Sequence, residues 1–223
     1  GYSGGLHGVG ASVVNALSEW LTAEVYCDNR AYRMEFRSEA DKSGKIISGK
    51  PVAPLAEVGR TRKQGSVITF LPDARVFESI EMNYDAIAKR LRELAYLNRG
   101  ISMTLEDERA GQQKKIEYRF DGGLSDFVSY LNHDKTPLYE APIHFSGESG
   151  CILVEVAMQH NDGYADNIFS YVNNIPTIEG GTHETGFKAA LTKVMNDYCR
   201  KTALLKDKDP SLSGEDFREG ITA

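Results

Sequence analysis

The sequence predicts an α+β protein built from two domains. Segments that alternate apolar and polar residues are typical of strands, and they are interspersed with segments of helical periodicity. The 223 residues suffice for two small domains with their own cores. Charge is uneven, because residues 1–120 hold 18 Lys and Arg against 16 Asp and Glu, whereas residues 121–223 hold 8 against 16. Together with the Gly122-Gly123 pair, this shift places the predicted domain boundary between residues 120 and 121.

The first predicted domain packs helices on one face of a mixed sheet. Val13, Leu17 and Leu21 recur at four-residue spacing, which predicts a helix with one buried face that reaches Leu21. The elements predicted after it are a hairpin of 23–27 and 32–36, a loop or edge strand in 41–54, a buried strand at 65–73 that Pro72 stops, an amphipathic helix at 83–98, and a hairpin of 101–108 and 115–120.

The second predicted domain follows the order strand, strand, helix. Its predicted elements are a short helix at 124–132, a strand at 151–160, a turn at 161–167, a strand at 168–175, a loop at 179–183, a long helix at 185–204 and the start of a strand at 220–223. This order is typical of an α+β domain.

Composition excludes several classes of protein. A net charge of −6 disfavours a general nucleic-acid-binding face. No apolar run approaches the roughly 20 residues that cross a bilayer, and no secretory signal is present. Cys27, Cys151 and Cys199 form no CxxC pair, so we expect a reducing cytoplasm and neither a disulfide framework nor structural zinc. The chain begins inside a motif and without Met, so we expect it to be a piece of a longer protein.

The strongest motif is the glycine-rich segment GGLHGVGASVVNALSEWL at residues 4–21. Glycines before a helix let backbone N–H groups approach a phosphate closely. A Walker A loop needs a Lys after Gly10, and a dinucleotide-binding loop needs a third glycine where Val13 stands, so both interpretations fail. By spacing alone, the remaining Gly5-x-x-Gly8-x-Gly10 pattern is equally consistent with a glycine turn that caps a helix.

The residues themselves are more specific than their spacing. GGLHGVGASVVNALS resembles the phosphate lid of the gyrase B and topoisomerase IV B (ParE-type) subunits, in the GHKL ATPase superfamily. The segments that resemble this family later in the chain, in the same order, are RLRELAYLNRGISMTLEDER, YVNNIPTIEGGTHETGFKAALTKVMN and GEDFREGITA. The resemblance implies a truncated GHKL (Bergerat-type) α/β sandwich in residues 1–120, which begins at the ATP lid. It implies a ribosomal-protein-S5-like transducer domain in residues 121–223.

The resemblance also implies which residues bind ATP. Those expected to line the triphosphate are Gly5, Leu6, His7, Gly8, Val9, Gly10 and Ala11. His7 either bonds a phosphate or only shapes the lid. Ser66 stands where the family has a Thr near the adenine, so we expect a water-mediated contact, with a buried strand serine as the alternative.

The family's catalytic groups are expected outside these 223 residues. Its general base, its Mg²⁺-binding Asn and its adenine-binding Asp are expected upstream of Gly1, and its γ-phosphate-binding lysine is expected downstream of Ala223. Phosphoryl transfer depends on these groups and on the metal. We therefore expect ATP and Mg²⁺ as the cofactors of the intact protein, no catalytic or metal-binding residue in this chain, and no turnover by the chain alone.

The function that the resemblance implies is ATP-driven DNA strand passage and supercoiling by a bacterial-type type II topoisomerase. The implied partners are an A-type DNA-cleaving subunit, a second copy of the chain joined by ATP-dependent dimerisation, and DNA in the holoenzyme, with no membrane. The alternative is a non-catalytic dimerisation and signal-coupling module.

The transducer would carry the ATP state to the DNA-cleaving parts. Its most distinctive loop holds Asn173, Asn174, Gly180, Gly181, Thr182 and His183. We expect Thr182 to N-cap the following helix, with Glu184 in its first turn, rather than to act in catalysis. Arg218 and Glu219 are expected to be structural.

Overall fold

The computed structural model describes residues 9–206 and 208–223, so Gly5, Leu6, His7 and Gly8 of the predicted lid lie outside the described residues. The chain divides into two compact units. The sheet unit is described from residue 9 to Met82, and the mixed unit from Asn83 onwards. The domain boundary between residues 120 and 121 concerns the two implied domain types and stays a prediction.

The sheet unit contains one short helix and five antiparallel strands. Its elements are α1 Gly10–Ala16, β1 Ser18–Cys27, β2 Arg30–Ala40, β3 Ile46–Pro51, β4 Ala56–Arg60 and β5 Gly65–Pro72. The strand order is β3-β2-β1-β5, and β4 also pairs with β2. Strand β1 is therefore hydrogen-bonded on both sides, and β5 lies at an edge.

The hairpin predicted from residues 23–27 and 32–36 is confirmed by the pairing of β1 with β2. The helix predicted to reach Leu21 forms only as far as Ala16, and its continuation is wrong. Asp28 and Asn29 have φ of 52° and 61°, the left-handed conformation that a two-residue hairpin turn requires. Helix α1 ends at Ala16, and Leu21 lies in β1 between Phe36 and Phe70. Leu21 is 5% exposed, so pairing on both sides and burial override its helical spacing.

Strand β5 forms where it is predicted and ends at Pro72, but the prediction that it is buried is wrong. Val67, Ile68 and Phe70 are 43%, 54% and 40% exposed. Successive side chains of a strand point to opposite faces of the sheet, so the exposure of both Val67 and Ile68 means that the described residues cover neither face fully at this part of β5. For the segment 41–54, the sequence left a loop or an edge strand open, and the structure has the edge strand β3 there. Strand β4 was not predicted.

The mixed unit contains four helices and seven strands among its described residues. They are α2 Tyr84–Leu97, β6 Met103–Asp107, β7 Lys114–Tyr118, α3 Leu124–Leu131, β8 Ile143–Ser149, β9 Ile152–His160, β10 Tyr171–Val172, β11 Ile175–Pro176, α4 Thr182–Lys201, α5 Gly214–Arg218 and β12 Ile221–Thr222. The sheets are β6-β7, β12-β9-β8 and β10-β11. The predicted helices at 83–98 and 124–132 and the hairpin of 101–120 are confirmed, whereas β8 and α5 were not predicted.

An aromatic stack forms one core of this unit. The Tyr96 ring lies 3.6 Å from the Phe120 ring and 4.8 Å from the Phe127 ring, measured between centroids, and both pairs are stacked. Tyr96 is 4% exposed and Ala95 is fully buried, so α2 packs through these residues. Asn83 begins the helix, because its side chain accepts a hydrogen bond from the Ala86 N–H group.

A second core lies between β9, α4 and β12. Met158, Leu191 and Ile221 form its buried cluster. Beside it, the buried side chains of Asn132, Gln159, Asn161 and Thr222 hydrogen-bond to one another. Because these polar groups satisfy one another, β12 is held against β9 at little cost in desolvation.

Three predictions in the second half are wrong in detail. The segment 168–175 is not one strand, because Asn173 and Asn174 have φ of 49° and 67° and turn the chain between β10 and β11. Helix α4 begins earlier than the predicted residue 185, and Thr182 is its first helical residue instead of its N-cap. Gly181 occupies the N-cap without any side-chain hydrogen bond.

Candidate functional site

Val9, Gly10 and Ala11 are the described residues of the predicted lid. Val9 is the N-cap of α1 and makes no side-chain capping bond, and Gly10 is the first helical residue. All three residues are exposed. A Cβ atom added at Gly10 would meet nothing within 4 Å, so no packing contact in the described structure requires glycine there.

Polar contacts fix the C-terminal half of α1 on the sheet. Asn15 Nδ2 donates to the Gly49 carbonyl oxygen at 3.3 Å, and Ser18 Oγ donates to the Val14 carbonyl oxygen at 2.6 Å. The Leu17 carbonyl oxygen accepts a hydrogen bond from the Asp73 N–H group at 3.0 Å. The C-terminal end of α1 is thereby tied to β3 and to the residue after β5.

An ion pair between the buried Asp73 carboxylate and the exposed Arg75 guanidinium supports that tie. Asp73 is 2% exposed and accepts from the Arg75 backbone N–H at 2.9 Å, from its Nε at 2.8 Å and from its Nη2 at 2.6 Å. Arg75 Nη2 also donates to the Ser38 carbonyl oxygen at 2.9 Å, which joins the pair to β2. The hydrogen bonds from Arg75 lower the pKa of Asp73, so the carboxylate stays charged although it is buried.

Ser66 lies on β5, opposite Val25 of β1. It is exposed and makes no side-chain hydrogen bond to a described residue, so the structure does not show a buried strand serine. Ser66 shares a face of the strand with Phe70, about 13 Å further along. Phe70 lines a cavity of about 230 Å³ together with Val13 and Leu17 of α1. Helix α1 and the Ser66 hydroxyl therefore belong to one face of the sheet.

The loop before α4 forms a polar network that sequence reasoning found only in part. Ser170 Oγ lies 2.6 Å from Thr177 Oγ1 and donates to Glu184 Oε2 at 3.0 Å. Thr177 Oγ1 also lies 3.1 Å from His183 Nε2. Lys188 Nζ bonds Glu184 Oε1 at 2.7 Å, and this contact contributes most to the lowered pKa of Glu184. The four-residue spacing of Glu184 and Lys188 was the signal available in the sequence.

The remaining side chains of interest have structural contacts. Arg218 Nε donates to Asp166 Oδ2 at 2.8 Å, which ties α5 to the loop after β9. Within the described ranges, no three His, Cys, Asp or Glu residues are grouped so as to hold a metal ion. No described helix is long and apolar enough to cross a membrane.

Comparison with known proteins adds to this geometry. Residues 123–223 match the family model described as DNA gyrase B. Over 99% of its length, the chain is 48% identical to the B subunit of DNA topoisomerase 4 from Streptococcus pneumoniae and to the B subunit of DNA gyrase from Bacillus mycoides. Nearly the whole chain is therefore similar to gyrase B and topoisomerase IV B proteins. It spans 33% of the first of these relatives and 52% of the second.

Solved structures show the same similarity at the level of the fold. The crystal structure of the 43K ATPase domain of Thermus thermophilus gyrase B, in complex with an aminocoumarin, matches with a TM-score of 0.79 and 37% identity. The match covers 96% of this chain and 56% of that one. The B subunit of DNA gyrase from Myxococcus xanthus, at 21% identity and a TM-score of 0.70, shares the fold. The predicted α+β fold of a gyrase B ATPase region is confirmed.

Proposed function

We propose that this chain is the part of a type II topoisomerase ATPase region that runs from the ATP lid into the transducer domain. In the intact protein, ATP binding and hydrolysis drive DNA strand passage and supercoiling. The similarity to gyrase B and topoisomerase IV B proteins over 99% of the chain supports this function. Likeness to a gyrase B ATPase domain supports it independently.

The proposed nucleotide site consists of Gly5, Leu6, His7, Gly8, Val9, Gly10, Ala11 and Ser66. Gly10 is the described glycine at which this site can be tested, because a side chain added there would meet no described residue. A ligand that approaches the backbone closely gives a reason for the missing side chain. The exposed Ser66 hydroxyl, on the sheet face that holds α1, is available to the base end of the nucleotide.

The cofactors of the intact protein are ATP and Mg²⁺. The general base, the Mg²⁺ ligand and the γ-phosphate-binding lysine come from residues outside these 223. The residues of this chain bind and enclose the nucleotide. The partners are an A-type DNA-cleaving subunit, a second copy of the B-type protein and DNA, in the cytoplasm.

Substitution of Gly10 by Ala in the complete B-type protein tests the lid assignment. Ala should stabilise α1 by about 0.5–1 kcal/mol, because it loses less conformational entropy than Gly in a helix. We nevertheless expect ATP affinity and turnover to fall by about 10- to 100-fold, since a methyl group would hold the phosphate away from the backbone donors. Nucleotide titration, steady-state phosphate release and thermal unfolding measure these effects.

Gly186→Ala is the matched control. Gly186 is also helical, and an added Cβ atom there would also meet nothing within 4 Å. This variant should gain similar stability and keep its ATP turnover. If both variants turn over ATP like the wild type, Gly10 is not a lid residue. If the complete wild-type protein hydrolyses no ATP, the coupling-module alternative replaces the proposed function.

A further inference from the structure

The tip of the β10–β11 hairpin contacts helix α2 through two hydrogen bonds that the proposed nucleotide site does not use. Asn174 Nδ2 donates to Asn98 Oδ1 at 2.9 Å. Arg90 Nη2 donates to the Asn174 carbonyl oxygen at 2.7 Å. One hairpin residue is thus bonded by its side chain and by its backbone to two positions of α2 that lie about two turns apart.

Both groups on α2 are held in place by further bonds. Asn98 is the C-cap residue, and its Nδ2 donates to the Leu94 carbonyl oxygen at 2.7 Å, so its Oδ1 is left to accept from Asn174. Arg90 Nη1 pairs with Glu93 at 3.0 Å, which orients the guanidinium. Asn174 has a φ of 67°, a conformation that Asn tolerates better than most residues. The contact is therefore specific in both donor and acceptor.

The base of the same hairpin is bonded to α4. Ser170 and Thr177 flank the hairpin and bond each other, and Ser170 bonds Glu184 in the first turn of α4. Tyr171, at the start of β10, is half-buried, and burial raises its pKa, with the charge of Glu93 on α2 adding to the effect. A short hairpin therefore connects α2 at its tip to α4 at its base.

We propose that the coupling hairpin, residues 171–176, transmits the position of α2 to α4, with Asn174 as its positioning residue. This inference rests on the proposed function, in which α2 belongs to the ATPase domain and α4 to the transducer. A connection of two hydrogen bonds at the tip can break and re-form without unfolding of either helix. Such a bistable contact is what coupling between two sites requires.

The experiment uses the complete B-type protein assembled with its A-type partner. Asn174→Gly keeps the left-handed turn and the backbone carbonyl oxygen that accepts from Arg90. It removes only the side-chain amide that donates to Asn98 Oδ1. We expect ATP hydrolysis to continue and the number of strand passages per ATP to fall at least about fivefold, a typical size for coupling between sites. Phosphate release and DNA relaxation or supercoiling are measured in the same reaction.

Asn173→Gly is the matched control. Asn173 occupies the same turn with a φ of 49°, and its side chain makes no hydrogen bond to a described residue. Its strand passages per ATP should equal those of the wild type. Equal values for Asn174→Gly and Asn173→Gly overturn the proposal, as does a loss of ATP turnover and strand passage in the same proportion.

Variants of Asn98 test the contact from the other side and do not alter the turn. Asn98→Asp and Asn98→Ala both lose the donor to the Leu94 carbonyl oxygen, and only Asn98→Asp keeps an acceptor for Asn174. Coupling should therefore be higher in Asn98→Asp than in Asn98→Ala. The Asn98→Ala and Asn174→Gly double variant should lower coupling no further than Asn98→Ala alone, because both substitutions remove the same hydrogen bond between Asn174 and Asn98. Additive losses overturn the proposal. If the wild-type complex shows no ATP-dependent strand passage, the proposed function fails, and the coupling role falls with it.

Discussion

The two compact units are held together in different ways. In the sheet unit, Leu21 is the one buried apolar residue among those described, and the other buried positions are polar: Ser18, Thr22, Ser38 and Asp73. In the mixed unit, stacked aromatic rings and the cluster around Leu191 form closed cores. Backbone pairing and one ion pair with a buried carboxylate can therefore order a unit that apolar packing leaves open, and the described residues of the proposed nucleotide site belong to that unit.

The largest expected effect is the loss of the aromatic stack. Tyr96→Ala should lower the free energy of unfolding of the mixed unit by about 3–5 kcal/mol, because it leaves a cavity between Phe120 and Phe127. Chemical denaturation followed by far-ultraviolet circular dichroism measures this loss. Tyr164→Ala is the control, since Tyr164 is 85% exposed and its removal should change stability by less than about 0.5 kcal/mol.

The fluorescence of Trp20, in β1, reports on the other unit. The denaturant midpoint reported by Trp20 should be the same in Tyr96→Ala as in the wild type. If this midpoint shifts as much as the midpoint measured by circular dichroism, the two units unfold together and the contrast between them fails.

An intermediate effect is expected from the ion pair of the sheet unit. Asp73→Asn removes the charge that Arg75 bonds, and it should lower the unfolding free energy by about 2 kcal/mol, the size of hydrogen bonds to a charged group. The Trp20 transition measures it. Glu57→Gln is the control, because Glu57 pairs with Arg30 at an exposed position, where an ion pair contributes about 0–1 kcal/mol.

The same ion pair predicts a pH dependence. The pKa of Asp73 is lowered in the folded state, so its contribution is complete above the pKa of the unfolded chain and is lost as the pH falls through the folded pKa. The unfolding free energy measured by Trp20 should therefore fall in the wild type on acidification below about pH 4, and it should fall less in Asp73→Asn. Parallel curves for the two proteins would exclude this carboxylate as the cause.

The smallest expected effect on stability is at the proposed adenine contact. Ser66→Ala should change the unfolding free energy by less than about 0.5 kcal/mol, since the side chain is exposed and bonds no described residue. ATP affinity of the complete protein should still fall by a few fold, as for the loss of one water-mediated hydrogen bond. Isothermal titration measures the affinity. Ser146→Ala, at an exposed position of β8, should change neither quantity.

The sequence by itself determined the elements whose signals are local. Asn83 begins α2, Asp28 and Asn29 turn the first hairpin, and Pro72 ends β5, because capping, left-handed φ and a missing N–H group each act within a few residues. The specific residues of the glycine-rich segment and of three later segments together indicated the resemblance to gyrase B and topoisomerase IV B proteins.

Three features were decided only by the tertiary structure: the end of α1, the exposure of β5 and the pairing of the polar groups. Leu21 belongs to a strand because β2 and β5 pair with it on both sides. Asn174 meets Asn98 across 76 positions of the chain. Burial and hydrogen bonding depend on partners that are distant in sequence, and periodicity carries no information about those partners.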